Sequence, residues 1–276
     1  MNTHTHPSNV FGTPLRFISS GLALAAVSLL SFATSASAAP LTSWTQDAGS
    51  ISSGLNTASP ILGNGTSDSA DGQGIHAVSS SFSLNTVGDS ISLYGGVAFA
   101  GLATPQADQF RFGLYNVNGQ SSISGWLGYF ASNSGTSGGP TYSRLWERNN
   151  PNSFSYGSGS GATTISSANA TPSNTSFASG SYTFSLTYTR VATGLQIDWT
   201  LLGTDVTYSV SGSFLDTTPQ TYTFNRVGMF TGGGLNASQV SFSNISLDYT
   251  PVPEPAVTGL LLGGSLLFVL RRRRQA

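Results

Sequence analysis

Tyr182-Thr183-Phe184-Ser185-Leu186-Thr187-Tyr188-Thr189 alternates a large apolar side chain with a hydroxyl residue at every step. Successive side chains on a strand point to opposite faces, so this stretch buries one face and wets the other. After the turn-like Arg190-Val191-Ala192-Thr193-Gly194, the same spacing returns in Leu195, Ile197, Trp199 and Leu201. The two runs predict a hairpin with Trp199 turned inward.

Working outward, Val206, Tyr208 and Val210 continue the meander. Earlier strand-like segments cover residues 74–84, 90–101, 109–115, 125–131 and 141–148, and later ones 221–229 and 239–249. In the last, Val240 and Phe242 keep one register while Ile245, Leu247 and Tyr249 keep the other, which predicts a bulge near Ser243-Asn244. Residues 132–139 and 157–176 are rich in Ser, Gly, Thr and Asn and read as mobile surface loops. Roughly ten strands with turn signals between them and no amphipathic helix predict an all-β chain, an antiparallel β-sandwich of jelly-roll type over residues 39–249.

Composition narrows the function classes. Charged residues make up 8% of the 276, against about 25% in ordinary globular proteins. All ten basic residues are arginines, and there is no cysteine, which excludes disulfides, thiolate metal sites and cysteine nucleophiles within the chain. Between Pro40 and Pro253 stand five arginines (Arg111, Arg144, Arg148, Arg190, Arg226) and ten carboxylates, a formal charge of −5. Nucleic acid is therefore not an expected partner, because phosphate contacts need clustered basic residues.

Both ends read as targeting segments. Residues 1–38 form a secretory leader: Arg16 closes the basic start, residues 17–30 are largely apolar, and Ala36-Ser37-Ala38 supplies an A-x-A cleavage site that leaves Ala39 first. Residues 250–276 form a tail in three parts. Thr250-Pro251-Val252-Pro253-Glu254-Pro255 is an extended spacer, since its prolines lack N–H donors. Residues 256–270 carry no charge and predict a single transmembrane helix. Its span of roughly 22 Å is short of a hydrocarbon core near 30 Å, and snorkelling arginines extend it. Arg271, Arg272, Arg273 and Arg274 then hold the cytoplasmic side and orient the body outward.

The order Val252-Pro253-Glu254-Pro255, apolar helix, arginine cluster resembles the PEP-CTERM sorting signal. That resemblance covers about 25 residues at the end of the sequence and implies recognition by an exosortase, a membrane-embedded cysteine transpeptidase-like enzyme of Gram-negative bacteria that make extracellular polysaccharide. It implies a precursor held transiently in the inner membrane and a product at the cell surface or in the extracellular matrix. The body resembles the concanavalin-like lectin and glucanase group in strand count, in Phe110-Arg111-Phe112-Gly113 and Gly125-Trp126-Leu127-Gly128-Tyr129, and in the final strand. This is a likeness of fold, and fold does not fix function.

Catalytic chemistry is sparse, and no catalytic residue is assigned. Glycoside hydrolysis needs two carboxylates flanking the bond, and the body holds one glutamate, Glu147. Lying between Arg144 and Arg148, it reads as a salt-bridged surface residue with a lowered pKa. His76, the body's one histidine, has no accompanying G-x-S-x-G elbow and reads as solvent-facing or hydrogen-bonded. Asp68 and Asp71 supply hard oxygens on a loop, as calcium requires, but their spacing misses the EF-hand pattern and no glutamate closes it. No cofactor is expected, and calcium is the one ion these two could serve. Trp126, Tyr129 and Trp146 are the candidate carbohydrate-binding residues, their flat faces suited to sugar rings. The expectation is a non-enzymatic surface protein that binds polysaccharide. Its rivals are a secreted glycan hydrolase and a purely structural module with no groove and both tryptophans buried.

Overall fold

The hairpin forms as its alternation predicts: Gly180–Val191 and Gly194–Gly203 pair antiparallel, from Tyr182 opposite Gly203 to Val191 opposite Gly194. Tyr182, Phe184, Leu186, Tyr188, Leu195, Ile197, Trp199 and Leu201 are all buried. The computed structural model describes residues 38–103, 109–133, 142–149, 161–171 and 178–252. Residues 1–37 of the leader, Ala36 included, lie outside the described residues, as do Pro253, Glu254, Pro255, the apolar stretch 256–270 and Arg271 to Arg274.

In chain order the strands are β1 (Ala39–Pro40), β2 (Trp44–Ala48), β3 (Ser52–Ser53), β4 (Ile61–Leu62), β5 (Gly74–Ser83), β6 (Ser90–Ala100), β7 (Phe110–Asn116) and β8 (Leu127–Asn133). There follow β9 (Tyr142–Arg148), β10 (Ala162–Asn169), β11 (Gly180–Val191), β12 (Gly194–Gly203), β13 (Ser209–Asp216), β14 (Thr223–Thr231) and β15 (Gln239–Thr250). They build two antiparallel sheets. The first runs β13-β12-β11-β6-β15-β4-β3, with β1 added on β15; the second runs β10-β9-β8-β7-β14-β5-β2. The one helical element among the described residues is a 3-10 turn, Ile123–Gly125. No helix among them is long and apolar enough to cross a membrane.

The inner faces meet through aromatic side chains. Phe112 of the second sheet lies 5.0 Å from Phe184 of the first, and Phe110 lies 5.0 Å from Phe99, ring centre to ring centre. Burying each such ring stabilises the fold by about 1.5–3 kcal/mol. Two polar groups in this core find partners across it: Trp199 Nε1 donates to Ser143 Oγ at 3.0 Å, and the Tyr188 hydroxyl donates to the Tyr129 carbonyl at 3.0 Å. An unpaired donor there would cost about 1–3 kcal/mol.

The bulge expected near Ser243-Asn244 is present: β15 shifts register against β6 between Ser243 and Ser246, and Asn244 takes a φ of 51°. Asparagine tolerates this left-handed conformation better than most residues. The reading of 157–176 as a loop is corrected in part. Residues 162–169 form β10, paired with β9 from Ala162 opposite Arg148 to Asn169 opposite Tyr142. As an edge strand β10 buries little, so its hydroxyl-rich composition passes for a loop; the backbone ladder from β9 holds it instead.

Candidate functional site

Cross-strand partners share a face, so the register fixes the outer surface of the second sheet residue by residue. One row runs His76, Gly228, Gly113, Phe130, Trp146 across β5, β14, β7, β8 and β9. The row on one side holds Val78, Arg226, Tyr115, Gly128 and Arg148; the row on the other holds Phe230, Arg111, Ser132 and Arg144. Tyr115, Trp126 and Phe130 form a small buried cluster on this face, separate from the main core, with Trp146 and Phe230 packed against it. Trp146 stacks on Phe130 with centroids 5.9 Å apart and planes 5° from parallel.

At one side of this cluster opens a cleft of about 400 Å³, lined by Asp47, His76, Gln120, Ser122, Trp126 and Arg226 among others. A register break in β2 between Gln46 and Ala48 turns Asp47 towards His76, and its Oδ2 lies 2.6 Å from His76 Nδ1. An ionised Asp47 accepts from Nδ1–H, which fixes the ring's orientation. The His76 ring meets Trp126 edge to face at 5.1 Å, and the Arg226 guanidinium sits 5.9 Å from the centre of the same indole. Burial pulls the Arg226 pKa down, but an arginine side chain stays charged in proteins.

The wall opposite His76 is the segment 117–126, and the sheet holds it firmly. Arg148 is fully buried; its Nε donates to the Trp126 carbonyl and its Nη2 to the Ile123 carbonyl, both at 3.0 Å. Asn225 Oδ1 accepts from Val117 N at 3.1 Å, and Ser122 Oγ caps the 3-10 turn at Ser124 N. Gly128 has a φ of 130° and lies so close to the Leu114 carbonyl that a Cβ would collide with it. That glycine lets β8 turn under Trp126.

Of the three candidate carbohydrate-binding residues, Trp126 and Trp146 lie on this outer face, Trp126 3% exposed at the cleft and Trp146 half-buried. Tyr129 lies on the inner side, fully buried, its hydroxyl donating to Asp216 Oδ2 at 2.7 Å and to Glu147 Oε1 at 3.2 Å. The reading of Glu147 as a salt-bridged surface residue of lowered pKa is corrected. Its neighbours Trp146 and Arg148 point out while Glu147 points in, 8% exposed. Burial and the nearby Asp216 push its carboxyl above the usual range, against hydrogen bonds from Gln220 N and Tyr129. Asp71 Oδ1 accepts from Ala237 N at 3.3 Å, and Asp71 N donates to the Asp68 carbonyl at 3.1 Å. These contacts tie the calcium candidates into a turn. No cluster of three or more His, Asp or Glu side chains that could hold a metal occurs among the described residues.

Sequence reasoning missed Asp47, Gln120 and Arg226, and it left His76 without a partner. Asp47 and His76 are 29 residues apart and meet only through the β2–β5 pairing. The one available signal was alternation in Ser143-Arg144-Leu145-Trp146-Glu147-Arg148, which assigns Glu147 to the face of Leu145.

No family model matches the chain, and no curated protein does. Solved structures do. An alginate lyase, Aly36B, in a variant bound to alginate tetrasaccharide, aligns at 11% identity with a TM-score of 0.41, covering 79% of this chain and 98% of that one. A lectin from Bauhinia forficata in complex with GalNAc aligns at 11% identity and a TM-score of 0.49, covering 78% and 98%. The carbohydrate recognition domain of Emp47p aligns at 12% identity and 0.45, covering 80% and 99%. Likeness at this level transfers no site residue to the present chain.

Proposed function

We propose that this protein is exported to the bacterial surface, addressed there by a PEP-CTERM tail, and binds polysaccharide without catalysis through the outer face of its second sheet. The observation that carries the binding reading is the cleft. It sets an indole beside hydrogen-bonding side chains from Gln120, Ser122 and the Asp47–His76 pair. Sugar sites combine an apolar aromatic wall with a few convergent polar groups. A purely structural module predicts no groove and both tryptophans buried; Trp126, 3% exposed, fits that, while the cleft and the half-buried Trp146 do not. Support for the tail is the order of spacer, apolar stretch and arginines in residues 252–274.

Binding is tested by retardation of the full chain, solubilised in detergent, in gels cast with a panel of polysaccharides, against Trp126→Ala. Retardation by at least one glycan, lost in the variant, is expected; migration unchanged by every glycan overturns the reading. The tail is tested by mass spectrometry of the mature C-terminus in the native host. Loss of Arg271 to Arg274 is expected, and an intact end leaves an ordinary anchor.

A glycan-active enzyme is the second reading, favoured by one observation: a carboxylate-oriented imidazole in a cleft is an arrangement that serves general bases. Hydrolysis by paired carboxylates is disfavoured, because Glu147 and Asp216 meet on the inner side of the sheet while the cleft lining holds Asp47 alone as a carboxylate. Release of new reducing or unsaturated ends from any retarding polysaccharide, lost in His76→Ala, would establish the enzyme.

A further inference from the structure

The body as a whole is acidic, at −5, yet its positive charge is gathered in one place. Four of its five arginines, Arg111, Arg144, Arg148 and Arg226, lie on three strands of the second sheet, and the register puts all four on the outer face. That sheet's strands carry two carboxylates. Glu147 faces inward, and Asp47 is engaged with His76. The outer face of the first sheet is different in kind: it carries cross-strand hydroxyl pairs, Ser92 with Thr187 and Ser185 with Thr200, at 2.9 and 2.7 Å, and in the row of Ser92 and Thr187 two carboxylates, Asp198 and Asp248.

We infer that the ligand of this face is an anionic polysaccharide, one bearing carboxylates along its chain. The inference rests on the glycan-binding reading and adds the charge of the glycan. Arg148 donates to carbonyls of the 117–126 segment, and Arg226 Nη1 donates to the Asn225 carbonyl at 2.8 Å; Arg111, Arg144 and Arg226 are partly exposed and each is set beside an aromatic ring. Arg111 lies 5.2 Å from the centre of Phe230, Arg144 5.9 Å from Trp146 and Arg226 5.9 Å from Trp126. A guanidinium packed beside a ring loses some of its freedom to move, and its fork of donors matches a carboxylate in two-point contact. Ring and cation side by side suit the two chemistries of an acidic sugar, an apolar ring face and a charged edge.

The spacing suits a chain more than a single sugar. Arg226 and Arg111 stand in rows four residues apart on neighbouring strands, about 13 Å along the strand direction at 3.3 Å per residue. A positive face on an otherwise negative body also steers a polyanion to one surface and repels it from the rest. Nucleic acid fits less well. Phosphate binding draws on many contacts, and this face carries few arginines and no lysine.

The test uses the full chain in detergent and affinity electrophoresis through gels holding polygalacturonate, the same polymer fully methyl-esterified, alginate, dextran or single-stranded DNA. Retardation by a carboxylated polymer, at least tenfold weaker with the methyl ester and weakened by salt, is the expected result. Arg226→Gln and Arg111→Gln should each reduce the retardation severalfold, and Arg190→Gln, on the other sheet, should leave it unchanged. Thermal melting of each variant reports whether it folds, and the ester comparison on the unaltered chain decides the matter if one does not. Equal retardation by acid and ester, or by dextran alone, overturns the inference while leaving glycan binding standing. Retardation by no polysaccharide sinks the glycan-binding reading itself. Retardation by DNA as strong as by any polyuronate, lost with the same arginines, overturns the inference in favour of an unselective polyanion face.

Discussion

His76 meets Trp126 edge to face, their ring centroids 5.1 Å apart and their planes at 86°. Asp47 holds the imidazole, and the buried Arg148 donates to the backbone carbonyl of Trp126, fixing the residue that carries the indole. The cleft wall is thus built by residues from β2, β5 and β14 and the segment 117–126. Because both rings are fixed before a ligand arrives, little side-chain entropy is lost on binding.

Trp126→Ala is expected to abolish glycan binding. It removes nearly all of a buried indole, so stability should also fall by about 3 kcal/mol. His76→Ala separates the two effects: a half-buried ring on the outer face is lost, binding falls at least tenfold, and the melting temperature moves by a few degrees. Gel retardation and thermal melting of the same samples check this.

The Glu147 carboxyl carries a pH dependence with a definite sign. Burial and Asp216 raise its folded-state pKa above the ordinary 4.5, and burial raises Asp71 above 3.8. A raised carboxyl binds its proton more tightly in the folded chain. Its contribution is therefore fully present below the unfolded value and is lost as pH climbs through the folded one. Glu147→Gln imitates the protonated acid and can donate to Asp216. Its melting temperature should exceed that of the unaltered chain at pH 7 and converge with it near pH 4, as read by thermal scans across that range.

Asp89 fastens Val252, two residues past β15, to the body. It is 3% exposed, with Oδ2 accepting from Thr86 N and Oδ1 from Val252 N, both at 2.7 Å. Asp89→Ala leaves two part-buried backbone donors without this acceptor, a loss of up to about 1–3 kcal/mol for each one that stays dry. A lower melting temperature and faster limited proteolysis near Val252 are the expected outcomes.

Trp199 fills the inner side of the first sheet against Gly212, where a Cβ would run into the indole. Gly212→Ala should cost about 1–3 kcal/mol by overpacking. Denaturant melts give the value.

The strand alternation made the hairpin, the inward Trp199 and the β15 bulge legible, because each depends on residues within one or two strands. The cleft was not legible for the opposite reason. Asp47, His76 and Arg226 come together only through pairing partners chosen by the whole sheet, and nothing local to any of them announces the others. Glu147 shows a subtler failure: two flanking arginines suggest ion pairs when sequence distance is read as spatial distance, whereas a strand sends its neighbour and itself to opposite faces. Tyr129 follows the same rule. Its place beside Trp126 in the sequence suggested a shared ligand surface, and alternation turned it into the core beneath.

The outer face of the second sheet as a binding surface is tested most directly by NMR of the full chain in detergent micelles, titrated with oligosaccharides from a retarding polysaccharide. The indole N–H of Trp126 and the ring signals of His76 should shift in a saturable way, while Trp199, sealed in the core, stays still. Saturable shifts confined to the hydroxyl-covered face of the first sheet, or no shift at His76 and Trp126 despite retardation in gels, would contradict the account.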